Sequence, residues 1–282
     1  MELRGRTALI TGASRGLGPH IATALALEGM DLVIAARSEA GLTAVADELR
    51  PTGRRVVCVP TDLSDPDSLE ALVERAEQED GGIDLLVNNA GLEHTIVFEE
   101  IPVSTIDQII SVNLRAPMVL SRLLLPRLVE RGRGHIVNVS SVAGYTGLPH
   151  SEPYCATKAA LVGFSRAFRA SAKACGYPVG CSVVSPGFVS NAGMYDDMVK
   201  DYGVTAPALL GTSSPKDVAQ AVVRAAKRDI PEVIVNPTPV RPLAVLAILL
   251  PRLASWLVER LGVAGVIGTV AKARTQLPGS KE

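Results

Sequence analysis

A tyrosine and a lysine that could act together, Tyr154 and Lys158, stand four residues apart in YCATK, at the head of an apolar-periodic segment. Residues with this spacing lie on one face of a helix, so both side chains can reach one pocket. A free phenol has a pKa of about 10, and a neighbouring ammonium group favours the phenolate. Tyr154 could therefore exchange a proton with a substrate oxygen while Lys158 lowers its pKa. Such pairs also occur on ordinary helices, so the interpretation depends on the rest of the chain.

A glycine-rich turn, TGASRGLG (11–18), follows the first apolar run and precedes a helix-like segment. Gly12, Gly16 and Gly18 stand where a backbone must turn tightly, approach a phosphate and let a helix pack against a strand. The N-terminus of that helix would present free N–H groups to a pyrophosphate. The spacing GxxxGxG differs from the more familiar GxGxxG, and three glycines can simply make a turn. The position directly after a strand favours dinucleotide binding.

The second strand-like run, DLVIAA (31–36), bears on the choice of dinucleotide. A carboxylate at the end of this strand would bind the ribose 2′-OH of NAD. The chain has Ala36 followed by Arg37, and Arg15 lies in the glycine turn. Two guanidinium groups suit a 2′-phosphate, so the sequence predicts NADP(H) as the cofactor. The alternative is that Arg37 is a solvated loop arginine.

The elements that must position these residues alternate between short β-branched runs and helical patterns. Strand-like runs lie at 7–11, 31–36, 55–60, 83–89, 134–141, 179–186 and 231–236. Helix-like segments lie near 17–29, 39–50, 66–79, 103–131, 153–175 and 215–228. The sequence predicts an α/β fold, a Rossmann-type doubly wound parallel sheet of about seven strands with helices on both faces. We expect one domain over residues 1–240, extended by an apolar and basic helical segment over 241–282.

Seven short motifs resemble those of the classical short-chain dehydrogenase/reductase family and follow the family's order. They are TGASRGLG (11–18), TDLSD (61–65), NNAG (88–91), SVN (111–113), VSS (139–141), YCATK (154–158) and SPG (185–187). The resemblance implies an oxidoreductase that interconverts a carbonyl and a primary or secondary alcohol on a small molecule. A catalytically silent dinucleotide-binding scaffold or sensor on the same fold is the alternative, and the intact Tyr154–Lys158 pair argues against it.

The resemblance also implies a catalytic tetrad of Asn113, Ser141, Tyr154 and Lys158. Ser141 would hold the substrate oxygen, Lys158 would hold the ribose hydroxyls, and Asn113 would keep a water relay in place. We prefer Ser141 to Ser140 because it stands 13 residues before Tyr154, the usual spacing in the family. Ser140 would point to the opposite side of its strand and serve a structural role.

The positions that match the family's cofactor contacts extend along most of the chain. They are Gly12, Ser14, Arg15, Gly16, Leu17, Gly18, Arg37, Asp62, Leu63, Asn89, Ala90, Gly91, Tyr154, Lys158, Pro186, Gly187 and Val189. Asp62 would bind the adenine edge, and the residues after SPG would border the nicotinamide. Two departures stand out: Asn191 replaces a frequent threonine, and VIVNPTPVRP replaces the VDGG ending of acyl-carrier-protein reductases. The second argues against a role in fatty-acid elongation.

The substrate side of the pocket should be bounded by residues 92–100, 144–153 and 188–212. The last segment is rich in large apolar side chains, which would form either a lid or part of the core. They are Phe188, Met194, Tyr195, Met198, Tyr202, Leu209 and Leu210. These residues favour a lipophilic carbonyl or alcohol of the steroid, retinoid or long-chain aldehyde class. His94 and His150 are left out of the catalytic set because lone loop histidines are more often solvent-exposed.

The composition of the chain bears on its binding partners and its location. The net charge is −1, which gives no basic excess for nucleic acid. The four cysteines show no CxxC spacing, so we expect reduced thiols in a cytoplasmic protein and no metal site. The sequence shows neither a signal peptide nor an apolar run of roughly 18 residues that could span a membrane. The family resemblance implies a homodimer or homotetramer.

Residues 241–282 differ from the rest of the chain in charge. They carry six Lys/Arg and two Glu, a net charge of +4, so residues 1–240 carry −5. The apolar run at 243–250 is too short to span a bilayer. One face of a following helix would carry Leu253, Trp256, Leu257 and Leu261. This segment could lie on an anionic membrane surface, pack on its own domain or seal a dimer.

Overall fold

Seven parallel strands form one sheet in the order β3-β2-β1-β4-β5-β6-β7, in a computed structural model. The structure describes residues 1–79, 81–208, 210–250, 252–253, 256, 260 and 262–275. The strands are β1 Thr7–Thr11, β2 Asp31–Ala36, β3 Val56–Pro60, β4 Leu85–Asn88, β5 Gly134–Val139, β6 Val179–Pro186 and β7 Glu232–Val235. The predicted Rossmann-type fold is therefore confirmed. β1 pairs with β2 on one side and with β4 on the other, so the strand order reverses beside β1. Such a switch point opens a ligand crevice at the carboxyl ends of the strands.

Helices follow most of the strands. They are α1 Leu17–Leu27, α2 Glu39–Leu49, α3 Pro66–Glu77, α4 Val103–Ile110, α5 Ala116–Glu130, α6 Ala143–Thr146, α7 Glu152–Ala174, α8 Met194–Tyr202, α9 Pro215–Arg228, α10 Arg241–Leu249 and α11 Val263–Thr275. Short 3₁₀ turns lie at Arg50–Thr52 and Phe98–Glu100, and a π-helical turn at Ser111–Arg115 joins α4 to α5. Ser214 and Asp217 form a capping box that fixes the start of α9.

The core lies on both faces of the sheet because successive strand residues point to opposite sides. Leu9 and Leu86 face one side, where the leucines of α3 and α5 pack. Ile10 and Val87 face the other side, where α1 and α9 pack. Burial of both faces explains why the strands are continuously apolar rather than alternating.

The helix from Val103 to Glu130 runs without interruption for 28 residues, and its most apolar part has a mean hydropathy of 1.3. By length and composition it could cross a membrane, contrary to our reading that no segment could. A core helix of a globular protein meets the same criteria. This helix buries Leu120, Leu124 and Leu128 completely, so packing against the sheet accounts for its apolar character.

The C-terminal helices contact the substrate side of the domain. α10 contacts α6, and α11 packs on α8. Val270 of α11 is buried in a small cluster with Met198 and Val204. In the predicted apolar face, Leu253 and Trp256 are exposed, whereas Leu257 and Leu261 lie outside the described residues. The division of the chain at residue 240 stays a prediction.

Candidate active site

One cavity of about 890 Å³ opens at the carboxyl ends of the strands. Its wall contains nearly all the residues predicted for the site. They are Gly12, Ser14, Arg15, Gly16, Leu17, Arg37, Asp62, Leu63, Asn89, Ala90, Gly91, Ser141, Tyr154, Lys158, Pro186, Gly187 and Val189. The two predicted residues outside the wall are Gly18 and Asn113. The cavity thus joins the glycine turn, the end of β2 and the Tyr154–Lys158 pair in a single space.

The glycine turn is packed too closely for side chains at two positions. A Cβ on Gly12, whose φ is 65°, would lie 2.7 Å from the Cα of Ala90. A Cβ on Gly18 would overlap the carbonyl oxygen of Gly12, so Gly18 lets α1 pack against the turn. No side chain caps the N-terminus of α1, and its first turn holds no acidic residue. The backbone N–H groups at the start of α1 have no side-chain acceptor, and together with the positive end of the helix dipole they could bind a pyrophosphate group.

Thr11 and Asn89 fasten this turn to the end of β4. The backbone N–H groups of Asn89 and Ala90 donate to Oγ1 of Thr11 at 3.1 and 3.2 Å. The Nδ2 of Asn89 donates to the carbonyl oxygens of Thr11 and Gly12 at 3.0 and 3.1 Å. Asn89 therefore borders the cavity, but its side-chain amide donates both of its hydrogen bonds to backbone carbonyls of the glycine turn. Sequence reasoning missed Thr11, whose signal was a hydroxyl residue directly before the first glycine.

The end of the cavity next to β2 and β3 is bordered by Arg37 and Asp62. Arg37 is exposed directly after β2. Asp62 accepts hydrogen bonds from the Ser64 hydroxyl at 2.7 Å and the Ser64 backbone N–H at 2.9 Å. These hydrogen bonds, with a smaller contribution from the Arg37 charge, hold the pKa of Asp62 below its usual value. Arg15 forms an exposed ion pair with Asp197 of α8 at 3.4 Å.

Three members of the predicted tetrad meet at the other end of the cavity. Ser141 and Tyr154 both line the cavity, and the Ser141 hydroxyl acts on the pKa of the Tyr154 phenol. The Nζ of Lys158 lies 5.6 Å from the centroid of the Tyr154 ring and donates to the carbonyl oxygen of Val139 at 2.9 Å. The hydroxyl of Ser140 instead donates to the carbonyl oxygen of Lys158 at 2.8 Å, a structural contact.

The pKa of Tyr154 differs from our expectation. Burial raises this pKa above its usual value, the Ser141 hydroxyl lowers it, and the negative charge of Glu93 raises it further. In the protein alone, removal from water is the largest effect and outweighs any lowering by Lys158. A lowered pKa in the presence of a positively charged nicotinamide stays a prediction. Burial also lowers the pKa of Lys158 to about 8. Near neutral pH, Tyr154 is consequently a phenol and Lys158 is mostly an ammonium.

Asn113 lies behind the tetrad, in the π-helical turn that joins α4 to α5. Its Nδ2 donates to the carbonyl oxygen of Leu92 at 2.8 Å and to Oγ1 of Thr157 at 3.2 Å. Its Oδ1 accepts from the N–H of Leu92 at 2.7 Å. The side chain thus positions the loop that follows NNAG. Only Oδ1 retains capacity for a water molecule, and the water relay stays a prediction.

The substrate side of the cavity is lined by all three predicted segments. Leu92, Leu148, Phe188, Met194, Tyr195, Met198 and Leu210 contribute to it. Leu209 lies outside the described residues, and Tyr202 packs beneath α11 instead of lining the cavity. Asn191, at the position of the family's threonine, lines the wall with φ 63°, a conformation that asparagine tolerates better than threonine.

Sequence reasoning missed a second group of wall residues. Val240, which directly precedes α10, and Ile267 of α11 line the cavity. Glu93 also lines it, and its carboxylate accepts from the hydroxyls of Thr95 and Ser151. The segment 92–100 was predicted to border the pocket, but nothing in the local sequence singled out Glu93.

Comparison with known proteins places these features in context. The family model described as short chain dehydrogenase matches residues 6–203, which contain every residue predicted for the site. The ketoacyl reductase HetN of Nostoc sp. (strain PCC 7120 / SAG 25.82 / UTEX 2576) is 44% identical over 238 residues, covering 84% of this chain and 81% of that protein.

Two solved structures are similar over most of the chain. A short chain dehydrogenase/reductase from Burkholderia phymatum in complex with NAD has a TM-score of 0.79 at 26% identity, covering 90% of this chain and 96% of that one. A metagenomic short-chain oxidoreductase in complex with NADP has a TM-score of 0.71 at 32% identity, covering 84% of this chain and 100% of that one. A nicotinamide dinucleotide is thus the cofactor of both neighbours.

Proposed function

The chain belongs to the short-chain dehydrogenase/reductase family, and we propose that it is an NADP(H)-dependent enzyme that interconverts a carbonyl and an alcohol on a lipophilic small molecule. The observation that carries this proposal is that Ser141, Tyr154 and Lys158 line the same cavity as the glycine turn, with the Lys158 ammonium 5.6 Å from the centroid of the Tyr154 ring. A silent dinucleotide sensor would have no use for this arrangement.

The side chains have distinct tasks in the proposed reaction. Ser141 and Tyr154 line the same cavity, and in the proposed reaction both hydroxyls would bind the substrate oxygen and stabilise charge that develops on it. Tyr154, protonated near neutral pH, is suited to donate its proton to that oxygen. The ammonium group of Lys158 then stabilises the phenolate that remains. The bound nicotinamide would supply or accept the hydride.

The proposal of NADP(H) rather than NAD(H) is supported by the end of β2. No carboxylate stands there to accept from a ribose 2′-OH, because β2 ends at Ala36 and Arg37 follows. Arg37 and Arg15 both line the cavity and could pair with a 2′-phosphate. In the structure Arg15 pairs with Asp197, so it would have to exchange that partner for the phosphate.

The proposal of a lipophilic substrate is supported by the apolar wall contributed by Leu148, Met194, Met198 and Ile267. A second candidate substrate is a keto group on an acyl chain, favoured by the similarity to HetN, a ketoacyl reductase. A panel of ketones, aldehydes and ketoacyl thioesters, followed by NADPH absorbance, would distinguish these classes.

The test of the proposed chemistry is the substitution Tyr154→Phe. It removes the proton donor but keeps the ring, so we expect kcat to fall by about 100-fold or more while the Kd for NADPH, measured by fluorescence titration, stays within about twofold. Tyr145→Phe is the matched control, because Tyr145 bonds Ser185 at 3.3 Å outside the cavity wall. Unchanged turnover in Tyr154→Phe would refute the mechanism. NADPH binding by the wild type without turnover on any substrate would favour the silent sensor.

We further propose a cytoplasmic homodimer or homotetramer that contacts anionic membranes peripherally. The reduced thiols support the location: the four cysteines all lie in the described residues and form no disulfide. Exposed Val103, Ile110 and Met118 on the long helix support self-association. The exposed apolar residues of the C-terminal segment support membrane contact; they are Val245, Leu249, Leu250, Leu253 and Trp256. Arg241, Arg252 and Arg260 are exposed beside them, as expected of an interfacial segment.

A further inference from the structure

A partly buried ion pair connects the C-terminal helix to the wall of the active site. The Nη1 of Arg274, in α11, lies 3.4 Å from Oε2 of Glu93, in the loop after NNAG. The Glu93 side chain is only 6% exposed and that of Arg274 22%. Salt bridges with so little exposure are screened weakly by solvent, so this pair affects the field inside the cavity.

Arg274 is held in place by α8 as well as by Glu93. Its Nε donates to the Tyr202 hydroxyl at 3.4 Å, and its guanidinium lies 5.6 Å from the centroid of the Tyr202 ring. Buried Val270 and Ile267 anchor α11, and Ile267 also lines the cavity. When α11 packs on the domain, Ile267 therefore becomes part of the cavity wall and Arg274 pairs with Glu93.

Glu93 is connected in turn to the helix that carries the proposed acid. Its Oε1 accepts from the Ser151 hydroxyl at 3.2 Å, and Ser151 is the residue that precedes α7. Tyr154 lies one turn further along α7 and lines the same cavity as Glu93, Ser141 and Lys158. The charge of Glu93 and the Cys155 thiol raise the pKa of Tyr154, and the Ser141 hydroxyl lowers it.

We infer that Arg274 is a positioning residue for this active site: by pairing with Glu93 when α11 docks, it offsets the negative charge that the Tyr154 phenolate would otherwise face. The inference rests on the proposed function of Tyr154. Without the guanidinium, Glu93 opposes ionisation of Tyr154 through like-charge repulsion, so alcohol oxidation, which needs the phenolate, becomes harder. If the pair served only to fasten the helix, its removal would lower the free energy of unfolding without changing the ionisation of Tyr154.

One test uses the pH profile of alcohol oxidation. Arg274→Gln should move the profile of kcat/KM to higher pH and lower the rate at neutral pH about tenfold, the effect of one pKa unit. Glu93→Gln should move the profile to lower pH, and the double variant should resemble Glu93→Gln. Arg274→Lys, which keeps the charge, should restore most of the wild-type profile. Lys272→Gln is the matched control, an exposed cation on the same helix.

A second readout is independent of turnover. The pKa of His94 responds to both partners: burial lowers this pKa, the Glu93 charge raises it and the Arg274 charge lowers it. An NMR titration of His94, assigned with His94→Gln, should show a higher pKa in Arg274→Gln and a lower one in Glu93→Gln. If these shifts occur but the wild type turns over no substrate, the proposed function fails while the pair stands. If turnover is intact and both variants leave the pH profile unmoved, or shift it in the same direction, the inference is overturned.

Discussion

Arg37 is the residue on which the proposed cofactor choice depends most. It is exposed at the end of β2, and its charge already acts on the neighbouring carboxylate of Asp62. Charge-assisted hydrogen bonds contribute about 1.5–3 kcal/mol each, which corresponds to roughly 10–100-fold in affinity. We therefore predict that Arg37→Ala raises the KM for NADPH by about 10–100-fold and leaves the KM for NADH nearly unchanged. Steady-state kinetics with both cofactors measures this.

The control for this prediction is Arg4→Ala, which removes an exposed arginine before β1 that does not line the cavity. Arg15→Ala should have a smaller effect than Arg37→Ala, because Arg15 gives up its pair with Asp197 when it binds phosphate. A wild-type enzyme that prefers NADH would contradict the assignment of both arginines.

The sequence predicts the residues of this site better than their interactions. Tyr154 and Lys158 stand in one contiguous motif, so local spacing identifies them. Glu93 and Arg274 are 181 positions apart, and no local pattern joins them before the fold does. The pKa of Tyr154 shows the same limit: the sequence supplies its charged neighbours, whereas the dominant effect is removal from water, which depends on the packing of the whole cavity.

At the scale of elements, long helices were predictable and short or irregular ones were not. Leu120, Leu124 and Leu128 repeat every four residues, which predicts the helix over 103–131. This repeat does not reveal the π-helical turn at Asn113, because it lies wholly in α5, after that turn. α6 and α8 escaped prediction because they are short.

The segment that begins with α10 allows a prediction about membranes. Leu249 is 70% exposed on α10, and burying such a side chain in the lipid interface contributes about 1 kcal/mol or more. In flotation with phosphatidylserine-containing vesicles, Leu249→Ser should reduce the bound fraction of the full chain about fivefold. Val103→Ser, which changes a 73% exposed residue of α4, should not. Wild-type protein that fails to float, or that floats equally with pure phosphatidylcholine, would contradict contact with an anionic surface.

At the scale of the whole molecule, the fold followed from the alternation of apolar runs and helical patterns. Strands without polar alternation require helices on both faces, and right-handed crossovers then leave few strand orders. The contact of α11 with α8 could not be predicted in this way, because a terminal helix has no crossover to direct it.

A buried histidine connects several elements on the sheet. The Nε2 of His135, in β5, lies 2.8 Å from the Ser182 hydroxyl in β6, and its Nδ1 lies 3.8 Å from Oδ1 of Asp229 after α9. Asp229 is itself paired with Arg169 of α7 at 2.5 Å. The order serine, histidine and aspartate resembles a hydrolase triad, but Ser182 is completely buried, so the group is structural.

This histidine makes the stability of the whole molecule dependent on pH. Burial lowers the pKa of His135 from 6.5 to about 4, so the folded protein keeps the ring neutral while the unfolded chain binds a proton. The stabilisation is complete above pH 6.5 and is lost as the pH falls towards 4, by up to about 3 kcal/mol.

Urea unfolding at several pH values should show this decline in the free energy of unfolding, and His135→Gln should flatten it even if the variant is less stable overall. His20→Gln, at an exposed position, should retain the wild-type slope. Asp229, whose pKa is lowered by its bond to Arg169, loses its contribution only at still lower pH. A wild-type stability that stays constant from pH 6.5 to 4 would therefore mean that His135 is protonated within the folded sheet.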